Sequence, residues 1–384
     1  MKTKKIELYI HIPFCKSKCR YCDFCSFRAD EETIQTYLGK LREELIFWGK
    51  KLAKKEVKTV FIGGGTPSYL KKQDIAMICE TVWKHFHVCK DAEITIEANP
   101  GTVDFKKLRT YKESGINRIS FGLQSTVKEE LEYLGRIHTY EEFLQSFEWA
   151  REAGFSNINV DLMSAVPKQT LSSYEENLRK IAALSPEHIS AYSLIIEEGT
   201  PFYEDDKLED FLPSEEDEVL MYQMTEKILN EYGYNKYEIS NYAKPGFESQ
   251  HNLGYWSHIP YLGVGLNASS YLEERRFENP FDMEEYLKIS SFDEAYEKAR
   301  PLTIHEQMEE FMFLGLRRTR GISKQEFKER FACSMDSVYE KPLKEAMEQG
   351  MLCEEGDSVF LTQDGTLVSN QVLCEFLFDE DEED

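Results

Sequence analysis

The chain has 384 residues, a hydrophobic fraction of 41% and a formal net charge of −24 at pH 7. Its length suits about two to three domains, and no run approaches the roughly 20 apolar residues that span a bilayer. This acidity argues against nucleic acid and anionic lipid as partners, because binding phosphate requires a basic surface. We expect a cytoplasmic protein, since no signal peptide is present and the nine cysteines are an odd number. The acidic residues 379–384 predict a disordered, solubilising tail.

A cysteine-rich segment near the N-terminus is the most informative feature of the chain. Cys15, Cys19 and Cys22 form a C-x3-C-x2-C motif directly after an apolar strand, and Cys25 follows. Three thiolates can hold a [4Fe–4S] cluster and leave one iron free to coordinate a small molecule. The alternatives are a zinc knuckle and disulfides. A zinc site usually needs a second Cys or His pair, which is absent at matching spacing, and a reducing compartment disfavours disulfides.

The N-terminal two-thirds of the chain alternates short β-branched runs with amphipathic helical stretches. The predicted strands are Leu8–Ile12, Thr59–Ile62, Glu93–Glu97, Arg118–Phe121, Asn157–Asp161 and Ile189–Ser193. The predicted helices between them are residues 31–54, 70–86, 104–114, 140–153 and 172–184. Six β-then-α units predict an α/β fold with a parallel sheet, curled into a partial (β/α)6 barrel.

Polar or conformationally special residues collect just after these predicted strands. They are the cysteine loop, Gly63 to Pro67, Glu97, Asn99, Gln124, Ser125, Asp161 and Tyr192. In a barrel of this kind, the C-terminal ends of the strands meet at one face, where active sites are built. The glycine run alone more often marks a tight turn and does not match a nucleotide P-loop. Convergence of six segments predicts a single site.

Four of the polar residues suit a ligand with an adenosyl group and an amino acid group: Glu97, Gln124, Arg136 and Asp161. Any one of them could instead cap a helix or lie on the surface. Together they supply carboxylates for ribose hydroxyls or an ammonium group. They also supply an arginine that can bind a carboxylate through two parallel hydrogen bonds.

The segment after residue 195 is less regular. We predict a helix at 214–232 and then a loop at 233–270, rich in Tyr, Asn and Gly. This loop contains His251-Asn-Leu-Gly-Tyr-Trp. A lone histidine is most often a hydrogen-bonded structural residue, whereas an exposed histidine beside aromatic rings could be an axial ligand to haem iron. The residues alone slightly favour the structural role.

The character of the chain changes again near residue 300. The predicted elements there are helices Ile304–Leu316, Lys324–Phe331 and Val338–Gln349, followed by a short strand Val359–Leu361. This order predicts a small, mostly helical accessory domain that resembles a winged helix. We therefore divide the chain into a core at 1–298 and a C-terminal domain at 299–384 that includes the acidic tail. The acidity argues against DNA binding by that domain.

Taken together, the motifs resemble radical S-adenosylmethionine (SAM) proteins of the oxygen-independent coproporphyrinogen III oxidase group, most closely the HemW-type haem chaperone branch. The resemblance covers nearly the whole chain. The motifs on which it rests begin at Tyr9 (YIHIPFC), Gly63 (GGGTP), Ile96 (IEANP), Ser120 (SFGLQS), Leu134 (LGRIH), Val160 (VDLM) and His251 (HNLGYW).

The resemblance implies roles for individual residues. It implies Cys15, Cys19 and Cys22 as ligands of a [4Fe–4S] cluster, whose fourth iron is taken by the amino and carboxylate groups of SAM. The implied SAM-site residues are Tyr9, Gly64, Gly65, Thr66, Glu97, Gln124, Arg136 and Asp161, with Tyr21 beside the ligand. It also implies His251 as the haem ligand, which reverses the preference drawn from the residues alone.

Three features favour the chaperone branch over the oxidases. The oxidases resemble one another in C-x3-C-x2-C-x-C, whereas Phe24 stands in the last cysteine's place here and Cys25 comes one residue later. They carry an N-terminal extension, whereas this chain starts eight residues before Tyr9. The H-N-x-x-Y-W signature belongs to the chaperone branch. We therefore expect a protein that binds haem and transfers it to acceptor proteins.

Two alternatives stay open at this point. One is a radical SAM oxidase that decarboxylates the propionate side chains of coproporphyrinogen III, and the other is a zinc-stabilised binding protein. Two residues also depart from the chaperone pattern, since Lys168 replaces an expected glycine and Ser269 an expected histidine. The sequence does not decide the haem acceptor, the productive cleavage of SAM, the role of Cys25, or the choice between a monomer and a homodimer.

Overall fold

The computed structural model describes residues 4–378, so the predicted acidic tail at 379–384 lies outside the described residues. Its strands are β1 Lys5–Ile12, β2 Glu56–Gly64, β3 His87–Ala98, β4 Arg118–Gln124, β5 Ile158–Ser164, β6 His188–Ser193, β7 Asn235–Lys236, β8 Asn241–Ala243, β9 Tyr261–Val264, β10 Ser269–Leu272, β11 Arg275–Glu278, β12 Ile322–Ser323, β13 Leu352–Glu355 and β14 Ser358–Leu361. The strands β1 to β6 confirm the six that the sequence predicts.

The helices of the first 300 residues mostly alternate with these strands. They are α1 Glu31–Lys51, α2 Lys72–His85, α3 Phe105–Glu113, α4 Lys128–Tyr133, α5 Tyr140–Glu152, α6 Leu171–Ala183, α7 Glu215–Glu231, α8 Gln250–Trp256, α9 Met283–Lys288 and α10 Glu294–Lys298. Two 3-10 turns, Pro67–Tyr69 and Leu208–Phe211, complete this part of the chain. The sequence analysis missed the short helix α4. No helix among residues 4–378 is long and apolar enough to cross a membrane.

The main sheet has eleven strands in the order β11-β10-β9-β1-β2-β3-β4-β5-β6-β8-β7. Strands β1 to β6 are consecutive neighbours and pair in parallel. The helices between them connect parallel neighbours, as β/α units require. This arrangement confirms the predicted α/β class and the six-unit partial barrel.

Alternation along β1 separates the hydrophobic core from the barrel interior. Ile6, Leu8 and Ile10 are fully buried in one large core cluster together with residues of α1. Successive side chains of a strand point to opposite faces. Tyr9 and His11 therefore face the interior, where they line a cavity. The strand side chains that point outward to the helices are thus apolar, and those that point into the barrel are polar.

The predicted loop at 233–270 is wrong. This segment forms strands β7 and β8 at one end of the sheet, then α8, then β9 and the start of β10 at the other end. Strand β9 pairs in parallel with β1, so the sheet extends beyond the six predicted strands on both sides. The cause of the error is length, because strands of two to four residues are too short to show a period of two.

The C-terminal region has its own hydrophobic core, which includes Phe311, Phe327 and Val359. Its helices are α11 Ile304–Gly315, α12 Lys324–Phe331, α13 Met335–Val338, α14 Glu340–Glu348, α15 Gln363–Leu367 and α16 Ser369–Cys374. Beside them, β12, β14 and β13 form a three-stranded antiparallel sheet. Helices with one small sheet match the predicted winged-helix-like character.

Candidate cofactor site and the adjoining cavity

The cysteine loop follows β1 and is held at its base by backbone hydrogen bonds. The N–H of Cys15 donates to the carbonyl of Phe27 at 3.0 Å, and the N–H of Phe27 donates to Pro13 at 2.9 Å. The loop places Cys15, Cys19 and Cys22 on the wall of one cavity of about 120 Å³. We call this space the cluster cavity. Burial raises the pKa of Cys22.

The thiols of the cluster cavity line a space and do not converge on a point. Among residues 4–378, no group of three or more His, Cys, Asp or Glu side chains is placed to surround a single metal ion. A zinc ion would need its ligands at about 2.0–2.3 Å from one centre. A multi-iron cluster is bound by thiols spread around a cavity, which is the arrangement that the loop presents.

The glycine turn after β2 lies directly against the thiols. Gly64 has a φ of 115°, which L side chains rarely adopt. A Cβ on Gly65 would lie 3.0 Å from the sulfur of Cys15, so a side chain there would crowd that thiol. Thr66 places its hydroxyl 3.4 Å from the same sulfur. The bare backbone of the turn thus leaves the space beside Cys15 open.

Arg136 crosses from the far side of the barrel to the cysteine loop. One guanidinium nitrogen lies 3.4 Å from the sulfur of Cys19, and another donates to Asn99 at 2.8 Å and to the carbonyl of Gly122. Its Nε is buried and has no hydrogen-bond partner in the structure. A buried donor without a partner is costly, so a ligand acceptor beside it would be stabilised.

Two half-buried carboxyl groups face the same cavity from β3 and β5. Glu97 accepts a hydrogen bond from the N–H of Gly64 at 3.0 Å, and Asp161 accepts from Ser120 and Asn159 at 3.2 and 2.7 Å. Burial, and then the charge of Asp161, raises the pKa of Glu97 to about 8. Burial also raises the pKa of Asp161. Hydroxyl or ammonium donors of a ligand would offset this desolvation.

Gln124 ends β4 in an unusual conformation, with a φ of 73°. Its side chain lines the cluster cavity. Non-glycine residues with positive φ are uncommon, and such strain concentrates at functional sites. A Cβ on the nearby Gly122 would lie 3.2 Å from the amide nitrogen of Gln124 and 3.0 Å from Asn99. The absence of a side chain at Gly122 therefore leaves room for these polar groups.

The structure brings most of the predicted site residues together, but not all. The cluster cavity is lined by Cys15, Cys19, Cys22, Gly64, Gly65, Thr66, Glu97, Gln124, Arg136 and Asp161. Tyr21 packs its ring against an apolar cluster that includes Leu134 and Phe202, while its hydroxyl interacts with Cys19 and Arg136 of the cavity wall. Tyr9 lines the neighbouring cavity. Asn99, which the sequence already places directly after the third strand, also lines the cluster cavity. Ser120 lines it too and was not predicted, since it lies inside β4 and no special residue type marks it.

A second cavity of about 400 Å³ adjoins the first and shares Phe24, Gly64 and Glu97 with it. Its other lining residues are Tyr9, His11, Asp23, Cys25, Tyr255, Tyr261, Asn267 and Ser269. Within the described part of the chain, its lining contains carboxylates and phenols but neither Lys nor Arg. We call this space the phenol cavity.

His251 does not lie in the predicted loop but on a helix, where it is buried and hydrogen-bonded. His251 lies on α8, is 1% exposed and stacks on Phe61. Its Nδ1 lies 2.6 Å from the hydroxyl of Thr59, and its Nε2 lies 2.9 Å from the hydroxyl of Tyr255. Burial, and then the charge of Arg118, lowers its pKa to about 3. With both ring nitrogens engaged, His251 offers no free nitrogen to haem iron in this structure.

Of the three residues that depart from the family patterns, two line the phenol cavity and one lies beside an aromatic ring. Cys25 lines the phenol cavity and not the cluster cavity. Ser269 lies on the same wall at the start of β10. Lys168 has a φ of 68°, a conformation that glycine adopts without penalty, and its ammonium lies 5.5 Å from the centre of the Tyr133 ring. The expected glycine thus reflects a backbone requirement.

Comparison with known proteins agrees with this geometry. The radical SAM superfamily model matches residues 9–181, and the HemN C-terminal domain model matches residues 302–368. Coproporphyrinogen III oxidase from Escherichia coli, a radical SAM enzyme of known structure, superposes with a TM-score of 0.83 at 23% identity. That likeness covers 97% of this chain and 90% of the oxidase, and it shows a common fold.

Relatives of similar length match from end to end. The haem chaperone HemW of Bacillus subtilis is 39% identical over 96% of this chain and 98% of its own length. The haem chaperone HemW of Lactococcus lactis is 35% identical over 99% of both chains. Identity at this level over the full length leaves no large segment of either relative unmatched. The chain belongs to the HemW haem chaperone family of the radical SAM superfamily.

Proposed function

We propose that this protein is a haem chaperone, which binds haem and transfers it to acceptor proteins while holding a [4Fe–4S] cluster and SAM. The observation that carries the proposal is the full-length likeness to haem chaperones, at 39% and 35% identity. The oxidase likeness supports the fold alone, at 23% identity. The alternative function, decarboxylation of coproporphyrinogen III, therefore has no separate support.

Three residues would hold the cluster: Cys15, Cys19 and Cys22. Their common cavity supports this assignment, as does the position of Cys25 outside it. A cluster with three protein ligands has an open iron, at which SAM would bind and accept one electron from the reduced cluster. Within this chain, Arg136 lies against Cys19 and would stabilise negative charge on that thiolate.

The remaining groups of the cluster cavity would orient SAM. Arg136 presents a buried Nε without a partner, which suits the carboxylate of an amino acid. Glu97 and Asp161 present acceptors for hydroxyl or ammonium groups. The open backbone at Gly64 and Gly65 would admit the ligand close to the sheet. Thr66 and Gln124 complete this wall, whereas Tyr9 would contact SAM only from the phenol cavity.

The phenol cavity would receive haem. It adjoins the cluster cavity and is the larger of the two, at about 400 Å³ against about 120 Å³. Phe24 stands between them and is 62% exposed, which gives a flat apolar ligand a surface to contact. We assign the haem site to this cavity. In this proposal His251 is not the iron ligand, because both of its ring nitrogens are hydrogen-bonded, to Thr59 and Tyr255.

Four further assignments belong to the same proposal. We propose a cytoplasmic location, consistent with a thiol-bound cluster that needs a reducing compartment. We propose the division into 1–298 and 299–384, supported by the separate core of the C-terminal region. Haem-acceptor proteins are the expected partners, and nucleic acid is not. A homodimer stays a prediction.

The proposal is tested by adding haemin to anaerobically reconstituted protein and following the Soret band, with and without SAM. We expect one haem per chain, followed by transfer of that haem to an apo-haem protein such as apomyoglobin. Iron and sulfide analysis of the same sample should give four of each per chain, which would dispose of the zinc alternative.

Two outcomes of these experiments would contradict the haem chaperone function. Protein that takes up no haem, but releases 5′-deoxyadenosine when coproporphyrinogen III is added, would establish the oxidase function instead. A preparation with an intact cluster and neither property would contradict both functions. The matched control is Cys353→Ala, because this cysteine is exposed in the C-terminal region and should leave haem uptake and cluster content unchanged.

A further inference from the structure

The junction between the barrel and the C-terminal region encloses a third cavity, of about 200 Å³. Residues 317–319 follow α11 and lie beside the turn between β7 and β8. The N–H of Ile239 donates to the carbonyl of Arg317, and the N–H of Thr319 donates to the carbonyl of Tyr237, both at 3.1 Å. We call this space the junction cavity. Its walls come from both parts of the chain, and it shares no described lining residue with the cluster cavity or the phenol cavity.

The walls of the junction cavity are cationic, although the chain as a whole is strongly acidic. Lys236, Arg317 and Arg318 line the cavity, and Glu226 is the one carboxylate among its described lining residues. The chain contains 70 acidic and 46 basic residues, so this lining reverses the balance of the sequence. Glu226 lies 3.8 Å from the Lys236 ammonium and is 40% exposed. Three cations against one carboxylate leave two positive charges unbalanced in the lining.

Arg317 presents an unsatisfied hydrogen-bond donor in this lining. Its guanidinium lies over the Trp256 ring, 4.5 Å from the ring centre, and its Nε is buried without a hydrogen-bond partner. The buried carboxyl group of Glu238 feels the charge of Arg317, but it accepts its hydrogen bonds from Ser240 and Asn241, at 2.9 and 2.5 Å. A guanidinium that stacks on an aromatic face keeps its edge for an anion. An acceptor in the cavity would remove the cost of the buried donor.

The other two cations are buried at a cost that an anion would offset. Arg318 is 6% exposed, and its guanidinium donates to two neutral groups, the carbonyl of Gly315 at 3.3 Å and the hydroxyl of Ser257 at 3.1 Å. Burial, and then the charge of Arg320, lowers the pKa of Arg318 to about 10. Burial also lowers the pKa of Lys236. Negative charge within the cavity would stabilise the charged form of both side chains.

We propose that the junction cavity binds a phosphoryl group, as free phosphate or as the phosphate of a nucleotide. A phosphoryl group carries close to two negative charges at neutral pH, which matches the two unbalanced cations, whereas a carboxylate carries one. Arginine binds phosphate oxygens through its planar fork, and lysine binds them as a point charge. Because the walls come from both parts of the chain, the bound anion would hold the barrel and the C-terminal region together. The proposal does not depend on the haem chaperone function.

The test is isothermal titration calorimetry of inorganic phosphate, and separately of AMP, into the cluster-reconstituted full chain saturated with SAM. Saturation with SAM keeps both probes out of the cluster cavity. We expect one phosphate per chain, bound more weakly as NaCl is raised.

Two substitutions in the junction cavity should change this affinity in opposite directions. Arg317→Gln should weaken binding about 10- to 100-fold, the usual effect of losing a hydrogen bond to a charged group. Glu226→Gln should tighten binding by roughly 2- to 5-fold, because it removes the carboxylate that competes for Lys236. Arg109→Gln is the matched control, since this arginine on α3 is 65% exposed and lies outside the cavity.

The two probes distinguish the sources of the phosphoryl group. AMP that binds more tightly than phosphate, and loses affinity in Arg317→Gln, would identify a nucleotide site. Phosphate that binds alone, with the same loss, would identify a site for the free ion. Phosphate affinity that Arg317→Gln leaves unchanged would place the anion elsewhere and overturn the proposal, as would no binding of either probe at roughly 10 mM.

Glu226→Gln keeps the proposal testable where Arg317→Gln folds poorly, which circular dichroism would reveal. A merely structural role for Glu226 gives no reason for tighter phosphate binding, so an increase in affinity would support the site. Unchanged or weaker binding in Glu226→Gln would overturn it. Haem uptake measured on the same samples is a separate readout, so failure of the phosphate site would leave the haem chaperone function standing.

Discussion

The two adjoining cavities differ in the chemistry of their walls. The cluster cavity is lined by thiols, two carboxyl groups and the guanidinium of Arg136, and the residues that line it come from the cysteine loop and the ends of the first strands. The phenol cavity lacks cationic side chains among its described lining residues, and it is closed by α8 and β9, which come later in the chain than all of these segments. One barrel thus holds a cavity with charged walls beside a second cavity of different chemistry, and the two share Phe24, Gly64 and Glu97.

The largest expected effect is loss of the cluster, which should follow substitution of a cysteine in the cluster cavity but not of the cysteine in the phenol cavity. Cys19→Ser should abolish cluster assembly, because the hydroxyl is a poor iron ligand and only two thiols of the motif would be left. Cys25→Ser should retain the cluster, because Cys25 lines the phenol cavity. The measurement is iron and sulfide content with the absorption of the reconstituted protein. Cluster loss in Cys25→Ser would show that four cysteines bind it and that the open iron does not exist.

Gly64 is shared by both cavities, and its substitution should damage both. Gly64 has a φ of 115°, and a Cβ there would lie 2.6 Å from the ring of His11, which is itself held on both sides. We expect Gly64→Ala to lower the free energy of unfolding by about 2–4 kcal/mol, from backbone strain and overpacking.

Gly39→Ala is the matched control for Gly64→Ala. Gly39 lies within α1, and a Cβ there would meet nothing within 4 Å. Alanine in a helix interior is favoured over glycine by about 1 kcal/mol, so this variant should be slightly stabilised. Urea unfolding of both variants makes the comparison. Equal stability of the two variants would mean that the turn at Gly64 relaxes freely, contrary to the close packing described here.

The cluster cavity could be predicted from the sequence to a far greater extent than the phenol cavity. Its residues follow strands long enough to show a pattern, and parallel strands bring their C-terminal ends to one edge. Glu97, Gln124 and Asp161 could therefore be placed before the structure was available. The packing of the Tyr21 ring beside Leu134 is a contact with a distant segment that the loop sequence does not reveal.

The phenol cavity depends on contacts that no local pattern carries. His251 is buried by Thr59 and Phe61, which lie about 190 residues earlier on a strand of the barrel. A seven-residue helix such as α8 also gives too few turns for a clear helical period. The sequence motif was recognisable, but the direction of its side chains was not. A motif can thus identify a family while leaving open which of its residues meets the ligand.

Glu7 lies beneath the floor of the phenol cavity, and the pH dependence of stability tests whether its carboxyl group is uncharged in the folded protein. Burial, and then the charge of Glu93, raises the pKa of Glu7 from its usual value of 4.5 to about 9. Between these values, the folded chain holds a proton that the unfolded chain has lost, so stability falls as pH rises. Glu7→Gln stays neutral, and its stability relative to wild type should increase from pH 5 to pH 8, by on the order of 1 kcal/mol per pH unit at most.

Chemical denaturation at several pH values measures this effect. Glu284→Gln is the control, because that carboxylate is 81% exposed and should give a difference from wild type that is nearly independent of pH. A flat difference for Glu7→Gln as well would mean that Glu7 is ionised in the folded protein. The floor of the phenol cavity would then carry a negative charge, which would disfavour propionates on that side and favour a cationic ligand.

The smallest expected effect on stability concerns Lys168, whose ring partner Tyr133 contacts Arg20 of the cysteine loop. Its φ of 68° costs energy for any residue with a Cβ, whereas its ammonium gains from the rings of Tyr133 and Phe211, at 5.5 and 5.6 Å. Lys168→Ala keeps the strain and loses the ring contacts, so it should destabilise by about 0.5–1 kcal/mol.

Lys168→Gly loses the same contacts but removes the strain, so it should fall within about 0.5 kcal/mol of wild type. Because both variants lose the ring contacts, urea unfolding distinguishes them only if the backbone at residue 168 is strained. Equal losses in Ala and Gly would mean that the backbone is unstrained, and no loss in either would mean that the rings contribute nothing. Since Tyr133 also packs under Arg20 of the cysteine loop, cluster content should follow the same order as stability. A change in stability without a change in cluster content would mean that the contacts of Lys168 do not influence the cysteine loop.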